Sequence, residues 1–177
     1  MGLDISYYSK IEIDEKEGDI YIHPQPFDYQ LGSLKVGALY KLTPESKSDG
    51  FRAGSYGGYS QWRGNLAKIA GYESDESVWK DFNRELRYVK LKKIENHKIE
   101  MKPFYELIFF SDCEGVIGPE ICKKLYQDFV NFEDKVKYEY SWPFWDFEDS
   151  FFYFYELYIK WREAFRVASD NGLVSFH

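Results

Sequence analysis

Alternating hydrophobic and polar positions open this chain. Ile5, Tyr7, Ile11 and Ile13 alternate with polar neighbours between Leu3 and Ile13. That period of two predicts extended, half-buried backbone. Ile11-Glu12-Ile13 and Ile20-Tyr21-Ile22 flank the charged stretch Asp14-Glu15-Lys16-Glu17-Gly18-Asp19. The arrangement predicts a β-hairpin with a charged tip and Gly18 at the position needing positive φ. Pro24 and Pro26 end the second strand, since proline cannot donate to a ladder. Residues 25–33 read as loop, and Leu34 to Leu42 suits either a strand or a short helix.

The period then lengthens. Ser60 is placed to cap a helix over Gln61 to Ala70, with Gly71 at its stop and Trp62, Leu66 and Ile69 on one face. A second helix is predicted from Asp75 to about Arg87, with Val78 or Trp79, Phe82 and Leu86 facing inward. Residues 88–101 are charged and do not settle on a type. Phe104 to Phe110 is short and apolar, bounded by Pro103 and by Ser111-Asp112, which predicts a buried strand. Pro119 suits the first position of a helix. Cys122, Leu125, Phe129, Phe132 and Val136 follow it at alternating spacings of three and four, a clear amphipathic stripe. Residues 138–147 read as a Trp/Pro/Phe-rich connection. Asp149 or Ser150 can cap a last helix to about Ser169, stopped by Asn171-Gly172. Strands precede helices, which predicts an α+β fold: N-terminal antiparallel strands or a hairpin, and a mixed sheet packed by C-terminal helices. At 177 residues the chain is expected to form a single domain, 1–177.

Composition narrows the function classes. A formal net charge of −7 argues against bulk nucleic-acid binding, which needs a basic face. The two cysteines, Cys113 and Cys122, form no CxxC or Cys/His cluster. No metal or other cofactor is therefore expected, and a reduced, cytoplasmic protein is. The N-terminus lacks the basic start and apolar run of a signal peptide, and no uncharged stretch reaches transmembrane length. Aromatics make up 20% of the residues, enough to fill a core and also to line a pocket or an interface. Phe151, Phe152, Tyr153, Phe154 and Tyr155 cover every face of one helical turn, so a homodimer is expected.

Two segments carry candidate chemistry. The first is Phe51-Arg52-Ala53-Gly54-Ser55-Tyr56-Gly57-Gly58-Tyr59-Ser60-Gln61-Trp62-Arg63. Arg52 and Arg63 are cations beside backbone amides left open by small residues such as Ser55, and the segment opens a helix whose N-terminus attracts anions. Tyr56, Tyr59 and Trp62 offer flat surfaces for stacking a base. The competing reading is a glycine-rich turn with aromatics packed beneath it. The second segment is Phe109-Phe110-Ser111-Asp112-Cys113-Glu114-Gly115-Val116-Ile117-Gly118-Pro119. Asp112 and Glu114 can present carboxylates to a ligand or a divalent cation, and Ser111 can hydrogen-bond a ligand directly. Here the competing reading is a capped turn, with Asp112 bonding local backbone amides while Gly115 and Gly118 permit the bend. None of His23, His97 and His177 sits in either segment, so no nucleophile–base set is identifiable.

Met1-Gly2-Leu3-Asp4-Ile5, Ala53-Gly54-Ser55-Tyr56-Gly57-Gly58-Tyr59 with Trp62-Arg63, and Phe110-Ser111-Asp112-Cys113-Glu114-Gly115-Val116-Ile117-Gly118 resemble a group of small, uncharacterised bacteriophage and prophage proteins. The resemblance covers the two segments and the helix to Phe129. It implies a phage origin, a setting in the host cytoplasm, and accessory roles such as countering host defence; it assigns no catalytic residue. Residues and resemblance together predict a protein that binds and sequesters a small anionic ligand, plausibly a nucleotide-derived immune signal, through Arg52, Ser55, Tyr56, Tyr59, Trp62, Arg63, Ser111, Asp112 and Glu114. The alternatives are a metal-dependent hydrolase of a phosphodiester or nucleotide using Asp112 and Glu114, and an acidic inhibitor of a host defence protein.

Overall fold

The computed structural model describes residues 2–26, 28–72, 103–111, 113–140 and 148–177. The predicted helix from Asp75, the charged stretch 88–101 and most of the connection 138–147 lie outside them. Among the described residues the elements run β1 (Gly2–Tyr8), β2 (Ile11–Ile13), β3 (Ile20–Tyr21), a 3-10 turn (Asp28–Leu31), β4 (Leu39–Leu42), β5 (Ser48–Ser55), α1 (Tyr56–Ile69), α2 (Tyr105–Ile108), β6 (Gly115–Ile117), α3 (Pro119–Tyr140), α4 (Glu148–Ala168) and β7 (Leu173–Phe176). The fold is α+β. A four-stranded sheet has the order β5-β1-β7-β6, and a three-stranded one the order β2-β4-β3. Every strand pairing among the described residues is antiparallel, where a mixed sheet was expected.

β1 follows the alternation: Leu3, Ile5 and Tyr7 are buried while Gly2, Asp4 and Ser6 face outward. The extended stretch does not continue unbroken to Ile13. Lys10 takes a left-handed conformation, φ 50°, and sends β2 into the second sheet. The predicted hairpin is corrected as well. β2 and β3 do not pair with each other; β4 lies between them, with Tyr40 opposite both Ile13 and Ile20. The tip explains the separation. Asp14 accepts the backbone amides of Lys16 and Glu17 at 2.9 and 3.0 Å, and its carbonyl accepts Gly18 N at 2.9 Å. This compact helical turn holds the strands too far apart to pair. Gly18 is not at positive φ. A Cβ there would lie 2.5 Å from the Asp14 carbonyl oxygen, so close approach is what requires glycine.

Three further boundaries move. The ambiguous stretch 34–42 contains strand β4. Helix α1 starts at Tyr56 rather than after Ser60, because Ser55 is the cap: its Oγ accepts Gly58 N at 3.1 Å. Gly54, at φ 106°, turns β5 directly into the helix. Phe104 to Phe110 is buried as expected but is not a strand. Phe104 sits at φ 59°, a left-handed geometry that cannot continue extended backbone, and the short helix α2 follows it. The stripe on α3 holds, with Cys122, Leu125, Phe129 and Val136 buried and Phe132 partly so.

The main core is aromatic. Trp161 stacks on Tyr59 and Trp62 at 5.7 and 6.0 Å between centroids, and on Phe165 at 5.5 Å. Phe51 meets Trp161 edge-on at 5.1 Å. Such pairs add about 0.5–1.5 kcal/mol each beyond the area they bury. A smaller cluster of Ile11, Ile22, Leu31, Leu34, Ala38, Tyr40 and Leu173 backs the second sheet.

Candidate functional site

The predicted binding residues divide between the interior and two separate surfaces. Tyr59, Trp62 and Arg63 are all buried. Trp62 Nε1 donates to the Phe154 carbonyl at 3.2 Å. The Arg63 guanidinium lies 4.6 Å from the Tyr59 ring centre, and its Nη1 donates to the carbonyls of Phe110 at 2.8 Å and Ile108 at 3.5 Å. These three residues are therefore part of the core instead of a ligand surface. They sit on the inner face of α1, which begins at Tyr56, five residues earlier than the sequence suggested. Tyr56 is half-buried against that core, and Ser55 is used as the cap.

Arg52 stays on the surface, on the outer face of the sheet, where Nη1 meets Asp4 Oδ2 at 2.8 Å. Glu114 is exposed just before β6. β5 and β6 are opposite edges of the sheet, so with three strand spacings between them Arg52 and Glu114 are about 14 Å apart across the ladder. Arg52 is paired with Asp4 across the β1–β5 ladder. Ser111 is half-buried; its Oγ accepts the amides of Cys113 and Glu114, both at 3.3 Å, and Gly115 bends the chain at φ 126°. The chain is capped here by Ser111, where Asp112 was expected to be the cap. Asp112 lies outside the described residues. Among the described residues no group of three or more His, Cys, Asp and Glu side chains could hold a metal ion.

A different polar site was missed by sequence reasoning. It lies where the 3-10 turn, α2 and α3 meet. Glu106 on α2 is fully buried. Its Oε2 pairs with Lys124 Nζ at 2.6 Å, and the same ammonium pairs with Asp128 Oδ2 at 2.8 Å. Asp128 Oδ2 also accepts Phe104 N at 2.8 Å and so holds the left-handed Phe104 in place. A bulky residue there is a genuine backbone outlier, and such strain gathers at functional sites. Gln30 is buried beside α2 and donates from Nε2 to the Glu106 carbonyl at 3.0 Å.

Two acceptors in this cluster remain unused. Glu106 Oε1 and Gln30 Oε1 are buried and meet no hydrogen-bond donor among the described residues. An orphaned acceptor of this kind costs about 1–3 kcal/mol, more when charged, and calls for a physical explanation. With two carboxylates and one ammonium, Glu106, Asp128 and Lys124 carry a net charge of −1.

Three tyrosines feel the Glu106 charge. Burial and then the Glu106 charge push the Tyr105 hydroxyl up to about 12. Burial raises Tyr72 further, again with Glu106 as the next cause. Burial also raises Tyr29, followed by Tyr105 and Glu106. Tyr29 is 42% exposed as a residue, but its hydroxyl end lies 3.5 Å from Gln30 Nε2, inside the cluster. All three hydroxyls stay neutral at physiological pH. Tyr105 and Tyr72 are half-buried and share Phe109 as a neighbour, at 4.7 and 6.1 Å between ring centres. Both tyrosine rings are tilted against Phe109, by 40° for Tyr105 and 59° for Tyr72.

The sequence did hold a signal for this site. Glu106 is the one charged residue in the run Phe104 to Phe110, and Lys124 and Asp128 stand one helical turn apart on α3. An open hollow of about 410 Å³ lies elsewhere, lined by Lys10, Glu12, Thr43, Glu45 and Asn171. Its lysine is already paired with Glu45 at 2.8 Å. Among the described residues no helix is long and apolar enough to cross a membrane. No known protein family, curated protein or solved structure matches this chain.

Proposed function

We propose that this protein binds a small nucleotide-like ligand at the Glu106 cluster and acts by holding it. The observation that carries the proposal is the presence of two buried acceptors, Glu106 Oε1 and Gln30 Oε1, that meet no donor among the described residues. A planar ring gains about 1–3 kcal/mol per base from stacking on an aromatic side chain, and Tyr105 is the neighbouring aromatic whose hydroxyl the Glu106 charge reaches. Donor groups on the edge of the ligand's ring would satisfy the acceptors. The site has a net negative charge, so it reads the ring, and any phosphate faces outward toward solvent. Sequestration is preferred to catalysis because no nucleophile–base pair is identifiable among the described residues of this cluster. In the phage setting suggested by the resemblance, the ligand would be an immune signal in the host cytoplasm.

Two measurements test the proposal. Calorimetry with a panel of mononucleotides, cyclic dinucleotides and cyclic ADP-ribose isomers should give a binding isotherm with at least one of them. That ligand should be recovered intact after long incubation with Mg²⁺ or Mn²⁺. Absence of heat and of thermal shift across the panel would reject the proposal, and a cleaved ligand would replace holding with hydrolysis.

A homodimer remains part of the proposal. One core takes Phe154, Tyr158, Trp161 and Phe165, and of the described α4 aromatics Tyr153 is the exposed one, at 50%. Light scattering at micromolar concentration should give twice the chain mass; a monomer mass would remove the dimer.

A further inference from the structure

We propose that β5 is the surface through which two copies of this chain associate, edge to edge and antiparallel, so that two four-stranded sheets run together. This rests on the homodimer reading and assigns its interface. β5 and β6 are the outer strands of the main sheet, and an outer strand carries a row of backbone groups with no ladder partner. The two ends of the sheet treat that row differently.

The β6 end is closed. The Gln25 side chain takes both outward groups of Val116, donating from Nε2 to its carbonyl at 2.9 Å and accepting its amide on Oε1 at 2.9 Å. The amide of Gly118 donates to the Gln30 carbonyl at 2.8 Å. A side chain and a turn thus occupy the place of a further strand.

The β5 end is open. Among the described residues no strand lies beyond it, and Ser48, Asp49, Gly50 and Arg52 are exposed. Asp4 exchanges both backbone bonds with His177, at 2.8 and 3.0 Å. Alternation along β1 therefore turns Ile5 and Tyr7 toward β5, where they face Phe51 and Asp49. The backbone groups of Ser48, Gly50 and Arg52 point the other way, out of the sheet. Asp49 Oδ1 accepts Gly50 N at 2.7 Å, a local bond that a ladder partner replaces. Proline and lysine, the residues that commonly guard an edge, are absent from Ser48 to Ser55. The one irregularity of the β1–β5 ladder lies beyond Arg52.

Self-complementarity selects a second copy as the occupant. A twofold axis at Gly50 pairs Gly50 with its own copy and Ser48 with Arg52 of the other copy. Every group so paired is an outward one, which closes about six backbone hydrogen bonds, and the residue on the axis has no side chain to obstruct the approach. Other registers fail. An axis at Arg52 sets two arginines face to face. An axis at Ser48 brings Arg52 opposite Pro44, which has no amide to donate. Tyr153, the exposed aromatic of α4, adjoins the same strand: a Cβ on Gly54 would lie 2.7 Å from its hydroxyl.

The test measures the dimer dissociation constant by light scattering over a dilution series for the unmodified chain, Ser48→Glu and Ser48→Arg, each checked for folding by circular dichroism. Ser48→Glu sets a carboxylate opposite Arg52 of the other copy twice in each dimer and should lower the constant by about twofold to thirtyfold. Ser48→Arg sets like charges there and should raise it by a similar factor. Amide exchange followed by NMR gives a second readout: the Ser48 and Arg52 amides should be protected in the dimer and exchange freely on dilution to monomer. A monomer mass for the unmodified chain at every concentration removes the dimer and this interface together. A dimer with the same dissociation constant in all three proteins overturns the β5 assignment and leaves the dimer standing. Protection of these amides in the monomer shows the edge to be occupied within the chain and overturns the assignment too. If the charge variants do not fold, amide exchange in the unmodified chain decides.

Discussion

Arg63 Nη1 donates to the carbonyl of Phe110 at 2.8 Å, from 47 positions earlier in the chain. The two glycine-bearing segments therefore meet through one buried guanidinium that closes carbonyls at the end of α2. The cation most suggestive of phosphate in the sequence is a brace. Its replacement separates volume from hydrogen bonding. Arg63→Ala leaves a cavity and orphaned carbonyls and should cost about 3 kcal/mol or more. Arg63→Met keeps most of the volume and should cost about 1–3 kcal/mol. Urea unfolding followed by tryptophan fluorescence reads both; an Arg63→Ala variant within 0.5 kcal/mol of the parent, roughly the scatter of neutral surface changes, would refute the brace.

Arg52 should behave in the opposite way. Its pair with Asp4 is more than half exposed on the arginine side, and such pairs contribute about 0–1 kcal/mol. Arg52→Ala should shift the melting temperature little and leave nucleotide binding unchanged, since the proposed site is elsewhere. A loss of binding without a loss of stability would move the site back to the outer face of the sheet.

Removing Lys124 strips Glu106 of its counter-charge. Lys124→Met should destabilise by about 2–3 kcal/mol, the lower end for a broken buried pair because the lysine is a quarter exposed. The double variant Lys124→Met with Glu106→Leu removes the buried charge as well and should recover most of the loss. If the double variant is less stable than the single one by the full additive sum, Glu106 is not a buried charge in need of compensation.

Acid should loosen the charged tip between β2 and β3. Donation from Lys41, and then from the amides of Glu17 and Lys16, holds the Asp14 carboxyl down to about 2. Its folded value lies below its unfolded one. The stabilisation is therefore complete above about pH 4 and is lost as pH falls toward 2. Melting curves over that window should fall more steeply for the parent than for Asp14→Asn; parallel curves would show that the tip contributes nothing.

The tyrosine layer has its own signature in alkali. Absorbance titration near 295 nm should show exposed tyrosines ionising near pH 10, as usual for tyrosine, with a later fraction that includes Tyr105 at about 12. Here the neutral form is favoured by folding. The stabilisation is present below pH 10 or so and lost as pH rises through the folded value. The late fraction should shrink in Tyr105→Phe. A single transition near 10 would show that Tyr29, Tyr72 and Tyr105 are not held beside a buried charge.

Patterns with strong local causes were legible from residue order alone. The β1 alternation and the α3 stripe are period signals backed by burial, and both appear as expected. Misplacements came where tertiary contacts override local preference. Ser60 looks like a cap, but Gly54 at positive φ turns the chain early and Ser55 takes the role. The run from Phe104 to Phe110 reads as a strand until Asp128, on a helix later in the chain, captures Phe104 N and turns the backbone. β2 and β3 look like partners until β4 enters between them. The proposed site was hidden for the same reason. Lys124 and Asp128 are related by helical spacing, but Glu106 and Gln30 join them only when three elements meet, and no spacing along the chain relates those two to the pair.

β7 was not anticipated at all, yet it lies inside the sheet between β1 and β6. The bond between Ser6 and His177, at 3.0 Å, links residues 171 positions apart. Until β7 docks, β1 has only β5 beside it, and β6 has no strand partner among the described residues. The entropy of closing so long a loop must be met before any of those ladder contacts can form. The chain should thus fold slowly for its size, with its sheet assembled late. During that interval, the open edge of β1 is the surface most exposed to pairing with another chain.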